Sequence, residues 1–146
     1  MVEIPNRIQI QATIRRGSVY YFEEDSFDSN EPHYFVVLNN NPNSDRILLL
    51  ACASSQIQKS KNRRKKLPQE TLVEVSPSAY RYFKFNTIFD CNSITERSIQ
   101  DLVDKLANGR LRICTEEMSN DIVDMLTAGA LLSPLVKRGN KKILER

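Results

Sequence analysis

The chain has 146 residues, 40% of them hydrophobic and 27% charged, which suits one globular domain that buries a core without metals or disulfides. Its net charge of +3 is unevenly spread: Lys59, Lys61, Arg63, Arg64, Lys65 and Lys66 place six positive charges within eight residues, and the remainder carries −3. Chain-wide disorder, a disulfide scaffold and a helical membrane span are excluded, because Cys52, Cys91 and Cys114 form no CxxC pair and the apolar runs at 47–53 and 128–132 are far too short to cross a bilayer.

No positively charged stretch followed by a long apolar run opens the chain, so no signal peptide is expected. Three free cysteines then fit a reducing, cytoplasmic setting. Nothing in their spacing points to a metal or other cofactor.

Ile8, Ile10, Ala12 and Ile14 alternate with polar residues and read as a strand; a strand equally begins after Gly17, in Val19–Phe22. Residues 23–32 are acidic and polar, a loop long enough to fold over a neighbour. Tyr34–Leu38 and the nearly all-apolar Arg46–Ser54 are strong strands, with Pro42 and Asn43 marking the turn between them. The basic segment 59–66 reads as a loop. Thr71–Val75 is a short strand stopped by Pro77, and Tyr82–Phe89 alternates as the last long strand, with Tyr82 and Lys84 on one face.

The pattern then becomes helical. Ser98 and Asp101 fit a capping box ahead of Ile99, Leu102, Val103 and Leu106, and Asn108-Gly109 ends that helix. Met118, Ile122, Met125, Leu126 and Leu132 mark an apolar stripe that reads as core packing, while the tail, about 137–146, reads as frayed. Five or six short strands followed by helices imply a mainly β, curled antiparallel sheet in a single domain, 1–146.

Arg16-Gly17-Ser18-Val19-Tyr20-Tyr21, the strand Tyr34–Leu38 with Asn39-Asn40, the segment Leu50–Lys61 and Leu67-Pro68 with Leu72–Val75 follow one another in an order that resembles the MazF/PemK family. The resemblance spans about Arg16–Leu132. It implies an SH3-like barrel with C-terminal helices, usually a homodimer, that cuts single-stranded RNA without a metal. It also implies neutralisation by a cognate antitoxin peptide.

The family places an arginine, in an Arg-Pro pair, just before the second strand. His33-Tyr34 occupies that position here. Neutral histidine offers one donor and one acceptor in place of a cationic fork. Either His33 serves as general acid or base, or the fold binds without cutting. Ser54 stands where the family carries a threonine and retains a hydroxyl for a phosphate oxygen. Asp90 lies near the family's acidic residue, to orient His33, to act as base, or simply to end a strand.

The cations Lys59, Lys61, Arg63, Arg64, Lys65 and Lys66 either hold the RNA backbone, with Arg63 or Arg64 replacing the missing arginine, or form a solvated loop. Tyr82 is a candidate for stacking on a base. The expected function is a metal-independent endoribonuclease toxin with catalytic residues His33, Ser54 and Asp90. The alternative is a nucleic-acid- or protein-binding module.

Overall fold

The computed structural model describes residues 3–25, 27 and 31–146. The loop expected at 23–32 therefore includes Ser26, Asp28, Ser29 and Asn30, which lie outside the described residues. The elements are α1 (Asn6–Thr13), β1 (Val19–Phe22), β2 (His33–Val37), β3 (Leu48–Ser54), α2 (Ile57–Arg63), β4 (Leu72–Val75), β5 (Thr87–Asp90), β6 (Thr95–Arg97), α3 (Ile99–Ala107), β7 (Leu111–Ile113), α4 (Asn120–Leu132) and α5 (Arg138–Glu145), with one 3₁₀ turn at Gln69–Thr71.

The strands form one open sheet in the order β4-β5-β3-β2-β1-β7, with β6 alongside β3. Neighbours are antiparallel. β4 and β7 stand at opposite ends of this order, so the expected SH3-like curled barrel is not formed. Side-chain parity gives the reason. Phe35, Val37, Leu48, Leu50, Tyr20 and Phe22 project to one face, where Ile10 of α1, Ile14 just past its end and Leu102 of α3 cover them. Val36, Leu49, Ala51, Ala53 and Val19 project to the other, beneath Val123, Leu126 and Ala130 of α4 and Leu144 of α5. A barrel encloses one apolar face. This sheet buries both under helices, which is a layered α/β arrangement.

Several elements differ from the sequence reading. Residues 6–13 are helical because Ile10 and Ile14, four residues apart, are buried, while Ile8 is 52% exposed and Ala12 faces solvent. The basic segment is mostly helix α2, its last turn carrying Lys61 and Arg63, where cations suit the negative helix end. Tyr82–Phe85 lies in turns, and only Thr87–Asp90 extends. Tyr82 and Lys84 are therefore not placed by strand alternation.

The tail is not frayed. α5 buries Leu144, and Asn40 Nδ2 donates to the carbonyls of Leu144 and Arg146 at 3.2 and 2.7 Å. Met118 and Leu126 are buried as the stripe suggested, but Met125 and Leu132 are about half exposed. The Ser98–Asp101 capping box is present in full.

Gly129 lets α4 approach the 3₁₀ turn. A Cβ there would lie 2.8 Å from the Glu70 carbonyl and 3.2 Å from both Cβ and Sγ of Cys91. Gly129→Ala is therefore expected to destabilise the fold by about 1–3 kcal/mol from overpacking, offset by up to about 1 kcal/mol of helix propensity. A lower urea midpoint with an unchanged m-value checks it, whereas a raised midpoint counts against the close approach.

Candidate functional site

The site forms where β2 begins and β3 and β5 end or start. Phe35 of β2 pairs with Cys52 of β3. Continued two residues further, that register sets His33 across from Ser54, on the face that carries Phe35 and Cys52. Ala53 pairs with Phe89 of β5, which brings Asp90 beside Cys52 on the same face. α2 then packs over β5 and adds its arginines.

His33, Ser54, Asp90, Arg63 and Arg64 all line one cavity of about 620 Å³, together with Ser60, Ser93 and Arg97. The sequence named the first five of these from separate segments. Lys59 and Tyr82 line a second, adjoining lobe of about 920 Å³, and Phe27, His33, Ser54 and Arg63 are common to both lobes. Lys61, Lys65 and Lys66 line neither lobe. Lys61 instead pairs with Glu74 at 3.1 Å.

Asp90 is already committed. Its Oδ2 accepts from Arg64 Nε at 2.9 Å and from Arg63 Nη2 at 3.5 Å, and its Oδ1 accepts from the Asn92 backbone and side-chain amides at 3.1 and 2.9 Å. Asn92 is held in turn by Thr71 and Ser133. Arg64 also donates to Ser93 Oγ at 2.8 Å. This network fixes Arg64 and leaves Asp90 no oxygen without a donor. It does not touch His33.

His33 Nδ1 is buried with no hydrogen-bond partner among the described residues, and the ring stands edge-on to Phe27 with centroids 5.4 Å apart. A buried nitrogen without a partner is costly in a folded protein and commonly marks a functional position. Ser54 Oγ accepts from the Gln56 amide at 3.1 Å, which leaves its hydroxyl hydrogen to donate elsewhere.

Of the three arginines on the first lobe, Arg64 is held by Asp90 and Arg97 is held by the buried carboxylate of Glu24. Arg63 has the longest contact and a half-exposed side chain. It is the cation best able to turn toward an incoming anion.

Cys52 also lines the first lobe, but burial pushes its thiol up to about 12. It is a poor nucleophile at neutral pH. Burial does the same to the Cys91 thiol and the Tyr20 phenol, both raised to about 12. The native state keeps these protons at pH values where the unfolded chain releases them, so stability falls as pH rises. Between about pH 9 and about pH 12 for the two thiols, and between about pH 10 and about pH 12 for the phenol, each group is expected to remove up to roughly 1.4 kcal/mol per pH unit, read from urea midpoints. Stability constant across that range would contradict the burial of these groups.

Sequence reasoning missed most of the second lobe. Tyr21, Tyr34, Arg81, Lys84, Phe85 and Arg112 belong to it. Arg112 sits on β7, a strand whose only sequence mark is the alternation Leu111-Arg112-Ile113.

Comparison with protein-family models and with curated proteins found no match to this chain. The expected MazF/PemK and toxin–antitoxin signature is thus not found, and the open sheet lacks the barrel that the resemblance implied. Among the described residues, no helix is long and apolar enough to cross a membrane.

Proposed function

We propose that the chain is an endoribonuclease that cleaves single-stranded RNA by attack of a 2′-hydroxyl on the adjacent phosphate. The observation that carries this reading is the convergence of His33, Ser54 and Arg63 on one cavity, with Asp90 and Arg64 holding the arginine side of it.

In this mechanism His33 takes the 2′-hydroxyl proton as the O2′–P bond forms. The P–O5′ bond breaks, and the imidazolium returns a proton to the departing 5′ oxygen. The products are a 2′,3′-cyclic phosphate and a 5′-hydroxyl. Arg63 and the Ser54 hydroxyl stabilise charge on the non-bridging oxygens. Asp90 is an arginine-positioning residue in this scheme and is no longer a candidate base, because its oxygens are taken. A cytoplasmic setting belongs to the same reading, supported by three unpaired cysteines.

Purified protein incubated with single-stranded RNA in EDTA tests the proposal. Cyclic-phosphate ends that accumulate with wild-type protein and not with His33→Ala support it. Intact RNA after incubation with folded wild-type protein, across the neutral pH range, overturns it.

A further inference from the structure

We infer that the second lobe is a base-binding subsite, in which unpaired bases beside the scissile phosphate stack on Tyr82 and Phe85 while arginines and lysines hold the intervening phosphates. This rests on the first lobe being the cleavage site, and it adds what the strand does beyond that site.

The lobe is continuous with the first through His33, Ser54 and Arg63. His33 and Tyr34 are consecutive in β2 and project to opposite faces of the sheet, yet both line the lobe. The lobe therefore bends round the ends of the strands. A flexible single strand follows such a bend, whereas a stiff duplex with its bases stacked inside does not.

Its lining carries five cations, Lys59, Arg63, Arg81, Lys84 and Arg112, and among the described residues one carboxylate, Glu31. A concave surface of that balance concentrates a polyanion.

The aromatic groups make the ligand more specific than a polyanion. Tyr21, Tyr34 and Tyr82 form a row, with centroids 4.4 and 6.4 Å apart in turn. Arg112 lies 4.7 Å over Tyr21 and donates to the Tyr34 hydroxyl at 3.3 Å, and Arg81 lies 5.5 Å over Tyr82. Phe85 is 71% exposed and joins neither hydrophobic cluster. An exposed phenyl ring at the rim of a cationic groove, beside tyrosines already in cation–π geometry, matches the stacking platforms that bind single strands without reading sequence. An acidic peptide would satisfy the charges and leave the rings unused.

The test uses the full chain and a fluorescently labelled 2′-O-methyl RNA of about ten nucleotides, a length typical of such sites, which binds without being cut. Its anisotropy titration is compared with an abasic strand of equal charge, the matching duplex and polyaspartate. The normal single strand is expected to bind on the order of tenfold more tightly than the abasic strand, and Phe85→Ala to remove on the order of tenfold from the normal strand alone.

Arg112→Gln should weaken both strands and flatten the salt dependence. Phe85 is exposed, so its variant should melt with wild-type protein, and a melting curve confirms it. Equal binding of normal and abasic strands, or equal binding of polyaspartate with no effect of Phe85→Ala, overturns the inference. Cleavage of an RNA strand of the same length that keeps its free 2′-hydroxyls separates the two readings. Cleavage that persists without the binding contrast sinks only the subsite, and the binding contrast without any cleavage sinks only the nuclease.

Discussion

His33→Ala is expected to lower the rate of RNA cleavage by about 10²–10⁴-fold, the range that a positioned general base or acid contributes, while leaving the urea midpoint nearly unchanged. The second half follows from geometry. Nδ1 of His33 makes no hydrogen bond among the described residues, so its removal breaks none there, and the ring's aromatic contact is the edge-on one with Phe27. Ser54→Ala should cost less, about 10²-fold, as the loss of one donor to the phosphate does in other enzymes. Single-turnover cleavage of a short oligonucleotide measures both. A His33→Ala protein that cuts at the wild-type rate would remove histidine from the mechanism and leave Glu96, which also lines the cavity and pairs with Lys137, as the remaining carboxylate there, since Asp90 is engaged.

Asp90→Ala is expected to cost about 3 kcal/mol of stability, the scale seen when one partner of a buried ion pair is removed. The Asp90 and Arg64 side chains are 11% and 18% exposed, so Arg64 would be left short of its counter-charge in a poorly solvated place. Arg63 adds less, because its side chain is 52% exposed and its contact is 3.5 Å.

Cleavage should fall along with stability as the arginines lose their anchor. The pH–rate profile distinguishes this from a base role. With Asp90 as a positioning residue, Asp90→Asn lowers the profile and keeps its shape. Loss of an acidic limb in that variant would show that Asp90 exchanges protons with the substrate.

The two outcomes also mark how far the sequence could be read. The strands β1, β2 and β3 were legible because Val19–Phe22, Tyr34–Leu38 and Arg46–Ser54 are dense in strand-forming residues. Their ends carry His33 and Ser54, so the centre of the site was legible as well. Helix α1 was not, since Ile8 and Ala12 mimic alternation while contributing nothing to the core. Helix α2 was hidden because Ser60 and part of Ile57 are its main inward residues, too few for a periodic signal.

The barrel failed for a related reason. Alternation along a strand shows which residues share a face, and it does not show whether both faces will be covered. Arg112 and Phe85 were missed because their strand and turn, at 111–113 and 84–86, are too short to be recognised before their neighbours are known. The ion-pair role of Asp90 depends on Arg64, 26 residues away, and no local pattern encodes that pairing.

Strand β3 is paired along both edges: β2 runs on one side, while β6 meets its first residues and β5 its last. Ser54 therefore closes a strand that is held along both edges, whereas Arg63 arrives on the exposed last turn of a two-turn helix. A cavity assembled this way has a fixed anvil and a movable hammer. In the proposed reaction its hydroxyl would keep the scissile phosphate in register, and its cation would be free to follow the charge as it builds and to let go of the product afterwards.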